Sequence, residues 1–131
     1  MPNATIKILL AISGTEQRKE LARVLSPRFQ VSEVSSLAEL QSSWVRQAPN
    51  MILLDPDLPD GDGIAWVASV RQELLNRKIK VVVVTNRSTV RDKMRGFRAG
   101  VDDYLVYPIN GDLLPHRLIL LRQVVRTFDR S

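Results

Sequence analysis

The chain contains no cysteine and only one histidine, His116. Disulfides and thiolate–zinc sites are excluded, and the composition fits a reducing, cytoplasmic setting. His116 falls in the first turn or so of what reads as the last helix, a place for a surface or packing residue. No serine stands in a pattern with a paired base. The sequence therefore predicts no nucleophilic catalysis and no enzyme. Long hydrophobic runs are absent too. The longest, such as Ile8–Ile12 and Val81–Val84, are far too short to span a bilayer. The opening "MPNATIKILLAIS" lacks the charged n-region and long apolar h-region of a signal peptide. There is no internal repeat, no low-complexity tract, and no glycine-rich phosphate loop, since "SGTE" is not G-x-G-x-x-G.

What is present is ordinary globular material. The 131 residues suit one domain, and 44% hydrophobic content is enough for a single core. Nineteen basic against fourteen acidic side chains give a net charge of +5, which suits an acidic partner. Nucleic acid would also tolerate that charge, but no recognition-helix motif supports it.

Along the chain, short apolar strands alternate with helices. "IKILLAI" (6–12), "FQVSEV" (29–34), "NMILLD" (50–55), "KIKVVVVT" (78–85) and "DYLVY" (103–107) read as strands. Ser13-x-x-Glu16 and Ser36-x-x-Glu39 have the spacing of capping boxes, opening helices to about Leu25 and Gln47. Further helices are expected over Ile64–Leu75, over 88–100 with Gly100 just past the end, and from an Asn110 cap to about Phe128. Five β–α units imply a parallel sheet with helices on both faces and right-handed crossovers. Ligands of such sheets bind beyond the carboxyl ends of the strands. Attention therefore falls on Ile12, Ser13, Asp55, Thr85 and Tyr107.

The segment after the third strand, "DPDLPDGDG", is the most specific motif. Asp55 ends the strand, Pro59 follows four residues on, and Asp62–Gly63 seven and eight on. With Thr85 ending the fourth strand and "GVDDYLVYP" around the fifth, these residues resemble the receiver domain of bacterial two-component response regulators. The resemblance covers essentially the whole chain. It implies a flavodoxin-like (βα)5 three-layer sandwich with a five-stranded parallel sheet of order 2-1-3-4-5, as one domain over 1–131. That domain is either complete in itself or the N-terminal module in front of an effector. It also implies that Asp55 is the phosphoacceptor, taking a phosphoryl group from a phosphohistidine. The amides of Asp57 and Asn86 would cradle the phosphoryl oxygens. Thr85 and Tyr104 would form the hydroxyl–aromatic switch.

Two supports that the resemblance calls for are missing. Ile12 and Ser13 occupy the positions of an acidic pair that would hold magnesium, and Tyr107 stands where a lysine would face the phosphoryl group. Ile12 cannot ligate a hard cation, and Ser13 offers one neutral oxygen. Asp57, beside Asp55, is a candidate for a weak substitute metal site, and Asp57, Asp60 and Asp62 together are candidates to gather a cation. No cofactor is expected, with Mg2+ required only if Asp55 is an active acceptor. The favoured expectation is a degenerate receiver working by protein contact, with phosphorylation weak or absent. One alternative is a functional phosphoacceptor of a phosphorelay. A more remote one is a flavodoxin-like domain binding a nucleotide or other phosphate ligand at the same sheet edge.

Other residues have plainer readings beside their functional ones. Asp57, Asp60 and Asp62 are favoured as turn and first-turn helix residues, and Gly61 and Gly63 as residues chosen for backbone conformation. Arg91, Arg95 and Arg98 share one face of the fourth helix. They form either a solvated face balanced by Asp92, Asp102 and Asp103 or a docking surface for an acidic partner. In the last helix a core stripe through Leu114, Leu118 and Leu121 has a second apolar stripe beside it, Leu113, Leu120 and Val124. That surplus predicts a homodimer or a protein partner (histidine kinase, effector domain or a second copy) against the fourth helix, fifth strand and last helix.

Overall fold

The structure, a computed structural model, describes residues 5–87 and 89–123. In chain order the elements are β1 (Lys7–Ala11), α1 (Thr15–Leu25), β2 (Gln30–Val34), α2 (Leu37–Gln47) and β3 (Met51–Leu54). A short antiparallel pair follows, β4 (Asp57–Leu58) and β5 (Gly61–Asp62). Then come α3 (Gly63–Ser69), α4 (Arg71–Asn76), β6 (Lys80–Thr85), α5 (Val90–Ala99), β7 (Asp103–Val106) and α6 (Leu114–Gln123). The main sheet has the order β2-β1-β3-β6-β7, and its four pairings are all parallel. This is the predicted 2-1-3-4-5 order. Among the described residues no helix is long and apolar enough to cross a membrane.

The alternation of side chains along each strand splits the core into two layers. Leu9, Ala11, Ile52, Leu54, Val81 and Val83 face one side, under α2, α3, α4 and α5. Ile8, Leu10, Ile12, Met51, Leu53, Val82 and Val84 face the other, under α1 and α6. Both faces of β3 and β6 are covered, which is why "MILL" and "KVVVVT" are buried throughout. The strand order reverses between β1 and β3, and the ends of those strands form the mouth of the site.

Three local expectations are corrected. Ser13 does not cap α1: the N-cap residue is Gly14, with no side-chain cap hydrogen bond, because the Ser13 hydroxyl is directed to Asp55 instead. The helix expected over Ile64–Leu75 is broken at Val70 into α3 and α4. Gly61 and Gly63 do not have positive φ. They are small because the chain comes close: a Cβ on Gly63 would lie 2.8 Å from the Asp55 carbonyl oxygen, and one on Gly61 2.3 Å from the Leu37 side chain. By contrast Ser36 caps α2 as its spacing predicts, accepting from the Glu39 N–H at 3.1 Å, while Glu39 reaches back to the Ser35 N–H at 2.8 Å. Gly100 closes α5 at φ +120°, a conformation that favours glycine.

Candidate functional site

Asp55 is held at the sheet edge by its own backbone. Its N–H donates to the Ala11 carbonyl at 2.9 Å, continuing the β1–β3 ladder one residue past the strand. The carboxylate is half-buried, and both of its oxygens have internal donors. Oδ2 accepts from the Ser13 hydroxyl at 2.8 Å and, at longer range, from the Ser13 N–H at 3.4 Å. Oδ1 accepts from the Asp57 N–H at 2.9 Å. Ile12 is 3% exposed and belongs to the core layer beneath α1 and α6, so it offers the site nothing polar. Tyr107, half-buried against that same layer, has its phenol pushed up to about 12, first by burial and then by the charge of Asp55. The Tyr107–Pro108 peptide bond is cis.

The other aspartates of the acidic segment have separate tasks. Asp60 accepts from the Leu37 and Ala38 N–H groups at 2.7 and 2.9 Å, completing the start of α2 from 23 residues away. Those bonds hold its carboxyl below the usual value. Asp62 caps α3 through Oδ1, accepting from Ile64 and Ala65 at 2.9 and 3.2 Å, and its Oδ2 pairs with Arg95. Partial burial raises the Asp62 carboxyl, but the Arg95 hydrogen bond and the two N–H donors outweigh it and leave the group below its usual value. Asp57 is exposed and pairs with Arg87. Among the described residues, no group of three or more His, Cys, Asp or Glu side chains converges to hold a metal ion.

Thr85 is buried at the end of β6, and its hydroxyl accepts from the Arg87 N–H at 3.1 Å. Tyr104 is buried as well. Its hydroxyl donates to the Asp92 carbonyl at 2.9 Å, and its ring meets Phe97 edge-on at 5.4 Å. Burial raises its phenol above the ordinary value. Thr85, Tyr104, Asp57 and Arg87 line one cleft of about 80 Å³. Asn86 is exposed beside it.

Arg91, Arg95 and Arg98 do share the outer face of α5, where with Val90 and Met94 they line an open groove of about 550 Å³. Of the expected balancing acids, Asp92 lies on α5 itself and its charge acts on Arg95, while Asp102 and Asp103 are engaged elsewhere. Asp102 accepts from the Val81 N–H at 2.8 Å, and Asp103 pairs with Arg117. Leu113 and Leu120 are 63% and 65% exposed on α6 and the turn before it. Val124 lies outside the described residues. Sequence reasoning missed Arg87, the reach of Asp60 to α2, and Arg18, whose guanidinium donates to the Ile12 carbonyl at 2.9 Å. Each is a contact between residues distant in sequence or a backbone acceptor, so no local pattern announces it.

The response regulator receiver domain family model matches residues 12–119. The chain belongs to that family. It is 36% identical over 84 residues to the phosphate regulon transcriptional regulatory protein PhoB of Escherichia coli, covering 64% of this chain and 35% of PhoB. It is 40% identical over 96 residues to the KDP operon transcriptional regulatory protein KdpE of the same organism, covering 72% of this chain and 41% of KdpE. The matched segments thus span well under half of those relatives. Among solved structures, a putative response regulator from Chloroflexus aurantiacus superposes with a TM-score of 0.83 at 24% identity, covering 92% of this chain and 100% of that one. The response regulator DrrB of Thermotoga maritima gives 0.77 at 23% identity, over 88% and 51% of the two chains. These two likenesses show the fold.

A receiver of this family implies magnesium, and the residues present do not fit it. A hard divalent cation needs several oxygen ligands, carboxylates above all. Here Ile12 is core, the Ser13 hydroxyl is spent as a donor to Asp55, and Asp57 is paired with a guanidinium. Asp57, the residue expected to join Asp55 in a substitute site, has its carboxylate paired with Arg87.

Proposed function

We propose that this receiver domain works chiefly by protein contact, with magnesium-dependent phosphorylation of Asp55 weak or absent. The observation that supports this reading is the internal hydrogen bonding of Asp55. Ser13 and the Asp57 amide take the carboxylate oxygens that an acceptor would turn toward a cation and an incoming phosphoryl group. Phosphoryl transfer depends on positioning and charge stabilisation, and neither Ile12 nor Tyr107 supplies charge. The module is a signalling element, not an enzyme, and spans the chain as a single unit. Its partners are a histidine kinase, an effector domain or a second copy, engaged through α5, β7 and α6. The exposed Leu113 and Leu120 support that face.

A second reading, the working phosphoacceptor of a relay, is favoured by the partial exposure of Asp55 and by Thr85 at the neighbouring strand end. Incubation with acetyl phosphate, with and without Mg2+, separates the two by intact mass. No added phosphoryl group is expected under conditions that label an ordinary receiver. Magnesium-dependent addition of one group, lost in Asp55→Asn, would overturn the contact reading in favour of the relay.

A further inference from the structure

The end of the sheet opposite Asp55 carries a row of cations. In a parallel sheet every strand starts at one edge, and here the feet of four strands are laced together. The Gln30 N–H donates to the Ile6 carbonyl at 3.0 Å, the Lys7 N–H to the Asn50 side chain at 2.8 Å, and the Lys80 N–H to the Asn50 carbonyl at 3.1 Å. Lys7 starts β1, Arg28 stands shortly before β2, Arg46 lies in the last turn of α2, and Lys78 stands shortly before β6. All four are exposed, and none makes an ion pair among the described residues. Arg77, beside Lys78, is balanced by Glu73. The row stops at β7, where Asp102 and Asp103 stand at the start of the strand.

We infer that this amino edge of the sheet grips the phosphate backbone of duplex nucleic acid without reading its sequence. The inference is independent of the contact reading above. It uses neither Asp55 nor the face formed by α5, β7 and α6.

A helix dipole accounts for Arg46, at the negative end of α2, but not for the rest of the row. Lys78 has φ 59°, a left-handed conformation that L side chains other than asparagine rarely adopt. It closes α4 where glycine is usual: its N–H donates to the Leu75 carbonyl at 3.1 Å, and the next N–H, of Ile79, to Leu74 at 2.9 Å. A strained backbone thus carries an unpaired ammonium group. Lys7 lines a cleft of about 30 Å³ with Gln30, Ser32 and Gln47. The Ser32 hydroxyl donates to Gln47 Oε1 at 3.2 Å, which leaves the Gln47 NH2 as a donor beside the ammonium group. An ammonium and amide N–H groups on one small cleft suit a single phosphate oxygen.

The partner's class follows from what the edge lacks. Its cations are interleaved with Gln30, Gln47 and Asn50, and among the described residues Val45, next to Arg46, is the single large hydrophobic side chain exposed beside them. A protein partner would find no apolar centre there. Trp44 and Trp66 are buried, so unpaired bases have no ring to stack on. A lipid surface is flat, whereas the ends of a twisted sheet step round by about 20–25° per strand. From β2 through β1 and β3 to β6, three inter-strand steps carry the row across about 14 Å. That is enough to meet phosphates on both sides of a minor groove about 6 Å wide. Such backbone contacts need no recognition helix.

The probe is a labelled DNA duplex of about twenty base pairs, titrated against the full chain by fluorescence anisotropy over a range of salt concentrations. Dissociation constants of about 1–100 μM are expected near physiological salt, with log K falling against log salt at a slope of about −3, the counterions of three or four phosphates. A duplex of unrelated sequence should bind within about two-fold. Lys7→Gln and Arg28→Gln should each weaken binding about three- to ten-fold and flatten the slope by about one. Both residues are exposed, so unchanged far-UV circular dichroism should confirm an intact fold. Lys78→Gly should weaken binding in the same way while its denaturant midpoint stays level or rises, because glycine suits that backbone. Arg91→Gln, in the first turn of α5, should leave binding unchanged. No binding at low salt, or binding that ignores salt, would overturn the proposal. So would binding lost in Arg91→Gln but kept in Lys7→Gln, or tighter binding to phosphatidylglycerol vesicles than to the duplex. A preference above about ten-fold for one sequence would also overturn it, since that requires base contacts.

Discussion

Asp55 and Tyr107 are legible as family positions in the sequence, but their relation to each other and to Ser13 is not. Ser13-x-x-Glu16 has a good capping spacing, yet the hydroxyl goes to a carboxylate 42 residues away. A local rule lost to a tertiary hydrogen bond with a half-buried charged acceptor, the stronger of the two interactions. Tyr107 gives this arrangement an optical handle. Its folded-state value of about 12 lies above the ordinary 10 of the unfolded chain. The neutral phenol therefore contributes stability in full below about pH 10, and that contribution is lost as the pH rises toward 12. Absorbance titration of tyrosinate should show neither of the two tyrosines ionising at the ordinary value, since Tyr104 is raised as well. Tyr107→Phe should remove the transition near 12. Asp55→Asn should move that transition down but leave it above 10, because burial is the larger cause. A Tyr107 transition that ignores Asp55→Asn would mean that the two groups are not neighbours.

Elements were easier to find than their joints. The five strands and the helix starts at Ser36 and Gly63 follow from apolar runs and capping residues. The break at Val70 and the small antiparallel pair inside the acidic segment left no signal in hydrophobic period. The ion pairs of Arg87 and Arg95 span 30 and 33 residues and are equally silent. At α5 the packing is tight in one place. A Cβ on Gly96 would fall 1.9 Å from the Tyr104 hydroxyl. Gly96→Ala should therefore cost about 1–3 kcal/mol by overpacking, read from the denaturant midpoint. Combined with Tyr104→Leu, which clears that space, the loss should be smaller than the sum of the single losses. Strict additivity would show that α5 does not rest on this ring.

For the whole molecule, alternation of strands and helices gave the layers, while the strand order came only through the family resemblance. Periodicity identifies which face of an element is buried but not which neighbour covers it. The surplus apolar stripe was visible in the same way, and the structure leaves Leu113 and Leu120 uncovered. If that face joins two copies, Leu120→Asp should convert a dimer to a monomer in sedimentation velocity. Sedimentation unchanged by the substitution would remove Leu120 from any such interface.

The core layers also divide the chromophores. Both tryptophans, Trp44 on α2 and Trp66 on α3, lie in the layer beneath α2 to α5, with ring centroids 5.6 Å apart and planes at 87°. The guanidinium of Arg77 lies 5.8 Å from the Trp44 ring centre. The intrinsic indole emission of this protein is thus a one-sided gauge. It reports the pairing of α2 with α3, including the segment that begins at the Asp62 cap, and is blind to the seating of α1 and α6. A melt followed by emission alone would register the loss of one layer and leave the other unseen.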